Sequence, residues 1–263
     1  MTDAPTPSTR RRIGEIDFTV MPLAEAISFV LQASHDVTTL GHPGLAVHFC
    51  NAYNVALARS DRSYANLLAN ADVVFSDGVP ITWVGRRAYP DVAVAWERVY
   101  GPDVMRGVLD ASDGPAHYLL GGSQETLEAL QQRIAEEHPA ARIVGAESPP
   151  FRPASYDELQ ERNRRIADSG ASIVWVGLGT PKQDAEVQRL AASLPVVAMA
   201  VGAAFDFLAG TKAQAPVWMQ RSGTEWAFRL ASEPRRLGKR YVWGNSVFAA
   251  EAARTMRSGK ART

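Results

Sequence analysis

The stretch SIVWVGLGTPKQDAEVQRLAASLPVVAMAV, residues 172–201, decides the fold class of this chain. It starts with an apolar run at 172–176, passes through a glycine-rich turn into a helix-length segment from Lys182, and ends in a second apolar run at 195–201. Both runs are apolar almost throughout, which is typical of strands that helices cover on both faces. The order strand, helix, strand predicts a right-handed βαβ unit.

The same alternation extends towards the N-terminus. A helix is predicted from about Ala52, and Ser123 is the predicted N-cap of another. Further strands are predicted at 45–49, 72–75, 116–120 and 141–145. The pattern predicts an α/β fold with a mostly parallel sheet and helices on both faces, a Rossmann-like arrangement.

The C-terminal end has a different character. After Gly210 the strand pattern stops, and a new helix is predicted to begin at Pro234. From position 212 onward there are 11 Lys and Arg against 3 Asp and Glu, although the whole chain has 28 of each and a net charge of zero. We therefore predict a mobile tail at 1–12, an α/β domain at 13–210, and a basic helical appendage at 211–263 that meets an anionic partner.

The composition excludes several classes of protein. A chain of 263 residues with 46% hydrophobic residues is neither disordered nor fibrous. The single cysteine, Cys50, excludes an intrachain disulfide and a cysteine-based zinc site, and the five histidines lack metal-binding spacing. The lack of a disulfide fits a reducing, cytoplasmic setting, and no metal site is predicted. The sequence has no apolar window long enough to span a membrane and no signal peptide.

Polar residues follow several predicted strands, at the edge where ligands bind in such sheets. Asp77 comes directly after a buried strand and is a candidate general base. The alternative is that Asp77 is an N-cap or Asx-turn residue, with Gly78 supplying an unusual backbone angle. Asp206 stands between two phenylalanines and needs a partner, from either a helix end or a ligand N–H.

Two glycine-containing turns add further candidates. Gly121 and Gly122 allow a phosphate to approach the next helix, or simply form a tight turn. They fit neither GxGxxG nor a P-loop, so a dinucleotide site is not supported. After the other turn, Lys182 and Gln183 are either ligand contacts or solvated helix positions.

The basic end interleaves cations with aromatic residues such as Trp218, Trp226 and Tyr241. This pattern fits a membrane-surface helix or a phosphate site. The alternative is a solvated helix whose aromatic face lies in a core.

Eight motifs in order resemble the WecG/TagA/CpsF glycosyltransferase family, also called glycosyltransferase family 26. They are Asn51 with its downstream helix, ADVVFSDGVPITW (71–83), ERVYGPDVM (97–105), YLLGGSQETLEAL (118–130), VGLGTPKQDAEV (176–187), VGAAFDFLAGT (201–211), AP-WMQR-G-EW-FRL (215–230) and EPRRLGKRYVWGN (233–245). The resemblance implies an inverting, metal-independent transfer of an N-acetylmannosamine-type or related hexose from a UDP-sugar to a polyprenol-diphosphate-linked saccharide. It also implies cell-surface polysaccharide synthesis on the inner face of the cytoplasmic membrane, with no cofactor, because the UDP-sugar is a substrate.

The resemblance also implies roles for individual residues. Asp77 falls on the general base, Gln183 lies near the sugar, Asp206 meets the uracil ring, and Arg229 and Arg236 hold the diphosphate. The full set predicted to bind substrates is Asn51, Gly78, Arg98, Gly121, Gly122, Gly179, Thr180, Lys182, Gln183, Asp206, Arg229 and Arg236. The predicted membrane contacts are Arg235, Lys239, Arg240 and Trp243.

Two positions depart from the family pattern. Phe49 replaces a threonine two residues before Asn51, and Pro80 replaces a more usual glycine. The predicted partners are the donor, a lipid-linked acceptor and an anionic membrane surface, but not nucleic acid; a homo-oligomer stays open. Two other hypotheses remain at this point: a UDP-sugar transferase with a soluble acceptor, and a nicotinamide-dependent oxidoreductase.

Overall fold

The computed structural model describes residues 9–111 and 114–260, apart from the side chains at positions 236, 259 and 260. Residues 1–8 of the predicted tail lie outside the described part. The strands are β1 (Arg10–Ile13), β2 (Ile16–Thr19), β3 (Leu45–Cys50), β4 (Val73–Ser76), β5 (Ala116–Gly121), β6 (Arg142–Glu147), β7 (Ile173–Gly177) and β8 (Val197–Ala200).

Helices follow most strands, as the pattern predicts for an α/β protein. They are α1 (Leu23–Thr39), α2 (Ala52–Ser60), α3 (Arg62–Ala69), α4 (Val79–Ala88), α5 (Gly101–Leu109), α6 (Gln124–Glu137), α7 (Tyr156–Asp168), α8 (Lys182–Ser193), α9 (Ala204–Leu208), α10 (Val217–Arg221), α11 (Glu225–Ser232) and α12 (Pro234–Lys260). The predicted starts at Ala52, Lys182 and Pro234 are confirmed, and Ser123 caps α6 through the N–H of Thr126.

The main sheet has six strands in the order β4-β3-β8-β7-β5-β6. The pairs β3–β8, β8–β7, β7–β5 and β5–β6 are parallel, which confirms the Rossmann-like class. All six predicted strands are present, and each end agrees with the prediction to within two residues. These strands could be predicted from long apolar runs, because helices cover both faces of a parallel sheet.

The hairpin of β1 and β2 is a difference from the prediction. The two strands are antiparallel, with Arg10 opposite Thr19, and Gly14 takes a positive φ of 60° in the turn between them. The end of the predicted mobile tail, from Arg10 to residue 12, is therefore strand. Strand β1 was not predicted because three of its four residues are arginines, so it lacks an apolar run. Its partner β2 is held in the core by the buried Ile16 and Phe18.

Contacts divide the chain into two compact units that differ from the predicted domains. Among the described residues, the first contains 24–48, 101–111 and 114–213, and the second contains 9–23, 49–100 and 214–260. In the first unit, the inner strands β5, β7 and β8 pack on α7 and α8. Its core includes Tyr118, Ile166, Val174, Val187, Leu190 and Ala198.

The second unit includes the segment predicted to be an appendage. Helix α12 packs on α2 and α4, and its Phe248 and Ala252 share one buried cluster with Val55 and Ile81. The sequence showed the basic residues of 214–263 but not this packing. Residues 214–263 are therefore an integral part of a folded unit, since they complete its core.

Candidate active site

The second unit contains a cleft of about 810 Å³, measured with its open mouth. Its walls come from the residues after β3 and β4, the start of α4, and helices α10–α12. The lining residues are Asn51, Ala52, Tyr53, Asp77, Gly78, Val79, Pro80, Arg98, Gln220, Gly223, Glu225, Trp226, Arg229, Leu237, Arg240, Tyr241, Gly244 and Asn245.

Asn51 is fixed at the edge of this cleft as the N-cap of α2. Its Oδ1 accepts from the N–H of Tyr53 at 3.0 Å, and Asn54 completes a capping box by accepting from the N–H of Asn51 at 3.0 Å. The cap therefore uses the carbonyl oxygen of the Asn51 side chain. A ligand contact from this residue falls to its amide nitrogen.

Asp77 lies half-buried between β4 and α4, and it lines the cleft. Its N–H donates to the Cys50 carbonyl at 3.0 Å, and its own carbonyl accepts from Arg98 Nε at 2.8 Å. Both main-chain groups of Asp77 are thus held. The alternative that Asp77 is the N-cap of α4 is wrong, because the N-cap is Gly78 and no side chain caps this helix.

Gly78 serves a different purpose from the one expected. Its φ of −110° is ordinary extended backbone, so the glycine is not needed for an unusual angle. A Cβ at this position would lie 3.3 Å from the Cβ of Asn51, a close contact. Gly78 therefore lets the residues after β3 and β4 approach each other at the cleft.

Arg98 is an ion-paired wall residue. Its Nη2 donates to Glu225 Oε2 at 2.7 Å, and its guanidinium carbon lies 3.7 Å from the ring centre of Tyr100. The Tyr100 hydroxyl donates to the other oxygen of Glu225 at 3.2 Å. Burial raises the pKa of Tyr100, and the negative charges of Glu225 and Asp77 raise it further, so the phenol stays a donor.

Two further arginines line the cleft from the C-terminal helices. Arg229 is on α11 and Arg240 is on α12, where its guanidinium lies 3.6 Å from the ring centre of Tyr53. Arg240 was predicted as a membrane contact, yet it lies in the cleft wall. The side chain of Arg236 is outside the described residues.

The other predicted membrane contacts lie on α12 away from the lining set. Arg235, Lys239 and Trp243 are exposed, and the Trp243 ring lies edge-on to that of Tyr53 with 6.2 Å between ring centres. More exposed apolar residues on α10 and α12 were not predicted as membrane contacts. They are Val217, Trp218 and Val242.

The remaining predicted residues lie in the first unit. Gly121 and Gly122 have positive φ values of 119° and 75°, and a Cβ on Gly121 would lie 2.6 Å from the Gly177 carbonyl. Gly121 therefore has a structural role, since only glycine allows β5 to approach the end of β7 so closely. The N–H of Gly122 also donates to the Gly177 carbonyl at 3.2 Å.

Gln183 is buried and bonded to the main chain at both ends of its amide. Its Oε1 accepts from the N–H of Gly179 at 3.0 Å, and its Nε2 donates to the Ala200 carbonyl at 3.2 Å. These bonds fix the turn after β7. Around that turn, Gly179 and Lys182 are exposed and Thr180 is half-exposed.

Asp206 has a partner, but the partner is a lysine side chain and neither the helix end nor the ligand N–H that the sequence predicted. Its Oδ2 accepts from Lys212 Nζ at 2.9 Å, and its main-chain carbonyl accepts from the Thr211 hydroxyl at 3.2 Å. The residue lies in the first turn of α9 and does not cap it, because the N-cap is Ala203 without a side-chain bond.

Sequence reasoning missed two cleft residues that the geometry makes prominent. Glu225 and Trp226 begin α11 and line the cleft. Their signal was present in the motif at 215–230, where the pair EW stands two residues after Gly223. Their partners, such as Arg98, lie far away in the sequence, so the pattern gave no reason to pair them.

In the described part of the chain, no group of three His, Cys, Asp or Glu is arranged to hold a metal ion. Nor, among those residues, is any helix both long and apolar enough to cross a membrane.

The comparison with known families agrees with the resemblance seen in the motifs. The profile of the glycosyl transferase WecG/TagA/CpsF family matches residues 11–262, nearly the whole chain. This assignment gives no support to the oxidoreductase hypothesis. The chain belongs to the WecG/TagA/CpsF family and is a glycosyltransferase of cell-surface polysaccharide synthesis.

Proposed function

We propose that the protein transfers a sugar from a UDP-sugar to a polyprenol-diphosphate-linked saccharide, with inversion and with Asp77 as general base. The supporting observation is the cleft of the second unit, in which the half-buried carboxylate of Asp77 shares the walls with Arg229 and Arg240. A base for an alcohol and cations for a diphosphate are the two requirements of this chemistry.

In the proposed reaction, Asp77 takes up the proton that the acceptor releases, and UDP leaves from the donor sugar. The acceptor hydroxyl oxygen attacks the anomeric carbon of the donor sugar as the bond from that carbon to the UDP phosphate oxygen breaks. The hydroxyl proton moves to the Asp77 carboxylate, and the electron pair of the broken bond leaves with UDP. Attack opposite the leaving group inverts the anomeric carbon.

The arginines stabilise the departing diphosphate. Guanidinium groups bind phosphate oxygens through paired N–H donors and keep their charge at every physiological pH. Arg240 has its guanidinium on the face of Tyr53, which limits its freedom before a ligand binds. We assign the diphosphate to Arg229, Arg236 and Arg240, and we propose that turnover requires no metal ion.

The donor is proposed to carry an N-acetylmannosamine-type sugar or a related hexose, with Asn51 near the sugar. Phe49 cannot supply the hydroxyl of the threonine it replaces. It is buried, with its ring 5.6 Å from that of Phe75 between centres. Pro80 is in the first turn of α4, where the missing N–H removes no helical bond.

The acceptor is proposed to be lipid-linked because exposed apolar and basic residues occur together on the C-terminal helices. Trp218 on α10 is 66% exposed and Val242 on α12 is 72% exposed. Helix α12 also carries the exposed cations Arg235 and Lys239. Tryptophan with Lys and Arg suits the interface of an anionic membrane. These features support a peripheral protein on the inner face of the cytoplasmic membrane.

The direct test is UDP release from a panel of UDP-sugars, with and without a polyprenol-diphosphate-linked saccharide, in buffer containing EDTA. The proposal predicts release that depends on both one donor and the lipid-linked acceptor, and that EDTA leaves unchanged. Release with a soluble glycoside of the same sugar at equal efficiency would favour the soluble-acceptor alternative. Loss of turnover in EDTA, restored by a divalent cation, would contradict the metal-independent mechanism.

A further inference from the structure

The wall of the cleft contains an ion pair, Arg98 with Glu225, that the proposed reaction does not use. The two side chains are 17% and 16% exposed, and Nη2 and Oε2 are 2.7 Å apart. A largely buried pair leaves an uncompensated charge when one partner is removed. Its presence beside the proposed base therefore needs a reason.

The same guanidinium that pairs with Glu225 also holds the main chain of Asp77. Arg98 Nε donates to the Asp77 carbonyl at 2.8 Å. The guanidinium is planar and its N–H groups point in fixed directions, so its bond to Glu225 orients its bond to Asp77. The position of Glu225 therefore affects, through Arg98, the position of Asp77, whose carboxylate is the proposed base.

Glu225 is itself held from the opposite side. Its Oε1 accepts from the Tyr100 hydroxyl at 3.2 Å, and that hydroxyl accepts from Gln214 Nε2 at 3.2 Å. Both carboxylate oxygens of Glu225 thus accept hydrogen bonds from neighbouring side chains, Arg98 and Tyr100. This arrangement suits a residue that positions others better than a second base.

Glu225 also begins α11, the helix that brings Arg229 to the cleft. Glu225 lies in the first turn of α11, and Arg229 follows one turn later. One carboxylate therefore connects the loop of Asp77, through Arg98, with the helix of a diphosphate-binding arginine.

We propose that Glu225 is a positioning residue, which acts through Arg98 to hold Asp77 and the first turn of α11 at a fixed separation. The proposal rests on the assignment of Asp77 as general base. A base displaced by a fraction of an ångström loses much of its effect, since misplacement by about 1 Å can cost a factor of about 100 in rate.

The test is a set of single and double variants with kcat, the donor KM and the thermal midpoint measured for each. Glu225→Gln is expected to lower kcat about tenfold, whereas the exposed carboxylate control Glu136→Gln is not. Arg98→Lys keeps a charge for Glu225 but loses the planar fork, and it should lower kcat to a similar extent. If Glu225 acts through Arg98, the double variant Arg98→Lys/Glu225→Gln falls no further than Arg98→Lys alone.

A multiplied loss in the double variant would overturn the proposal, because Glu225 would then act independently of Arg98. Full kcat in Glu225→Gln, while Asp77→Asn is inactive, would refute this proposal and leave the proposed function intact. Full activity in Asp77→Asn would instead refute the proposed function. A second variant serves if Glu225→Gln does not fold. Tyr100→Phe removes one hydrogen-bond donor to Glu225 and should lower kcat a few-fold. Unchanged kcat in both Tyr100→Phe and Arg98→Lys would overturn the proposal.

Discussion

At the scale of single residues, some positions in the cleft could be predicted from the sequence, whereas the contacts between distant residues could not. Asn51 and Asp77 each follow a buried strand, so their position at a strand end was predictable from apolar runs alone. The pairing of Arg98 with Glu225 joins residues 127 positions apart. No local pattern encodes such a contact, because it depends on how α11 packs.

Arg240 allows a direct test of the diphosphate assignment. Arg240→Ala is expected to weaken UDP binding about tenfold or more, since a hydrogen bond to a charged group contributes about 1.5–3 kcal/mol. Isothermal titration with UDP measures this effect in the absence of any membrane. Lys239→Ala is the matched control, because the neighbouring Lys239 is exposed and does not line the cleft. Equal UDP affinity in the two variants would remove Arg240 from the diphosphate site.

Gly121 provides a test of backbone geometry in the first unit. Gly121→Ala should be strongly destabilising, because the residue has a φ of 119° and its Cβ would lie 2.6 Å from the Gly177 carbonyl. Gly170→Ala is a useful comparison: its φ is also positive, at 69°, but its Cβ would meet no atom within 4 Å. Thermal unfolding should therefore show a larger fall in midpoint for Gly121→Ala. Equal falls would mean that the close approach of β5 and β7 is unimportant.

At the scale of elements, α12 combines two functions that its sequence presents together. One side carries Phe248 and Ala252 into a core, while Arg240 and Tyr241 line the cleft. The alternative of an aromatic core face was therefore correct for Phe248, and the phosphate alternative remains the proposal for Arg240. The sequence could not divide these roles, because basic and aromatic residues alternate along the helix at similar spacing.

Phe248→Ala tests how strongly α12 is bound to its unit. Truncating a buried phenylalanine costs about 3–5 kcal/mol, so we expect a fall of that order in the free energy of unfolding. Denaturant unfolding of the second unit measures it, with Ser246→Ala on an exposed position of the same helix as control. A change below about 1 kcal/mol would indicate that α12 does not contribute to the core.

At the scale of the whole chain, the division into two units changes what the C-terminal segment is for. The basic C-terminal end was predicted to be a helical appendage on an α/β body, but 214–260 folds with 9–23 and 49–100. The mostly parallel sheet was predictable because apolar runs mark its strands, whereas the order of the strands was not predicted. The grouping of distant segments was not, since it depends on buried contacts such as those of Leu237 and Phe248.

A chain ending at residue 213 tests that grouping. Removing α10–α12 exposes the buried partners of Phe248 on α2 and α4, so the segment 49–100 should lose protection from proteolysis. Limited proteolysis followed by mass spectrometry of the fragments measures this. Unaltered protection of 49–100 would restore the interpretation of an independent appendage.

Membrane association tests the proposed location of the whole protein. Trp218→Ser is expected to weaken sedimentation with anionic vesicles, and raised salt should weaken it further, because charge attraction is screened. Phe151→Ser, which alters another highly exposed aromatic residue outside α10–α12, is the control. Equal binding by both variants would contradict a membrane role for the C-terminal helices.

The role of Asp77 as general base is tested by the turnover of Asp77→Asn, measured together with the affinity of this variant for UDP. The amide of asparagine keeps the size of the carboxylate but cannot take the proton of the acceptor hydroxyl. We therefore expect kcat to fall by about 100-fold or more, while the Kd for UDP stays nearly unchanged. Turnover equal to that of the unaltered protein, with the same UDP affinity, would show that Asp77 is not the base.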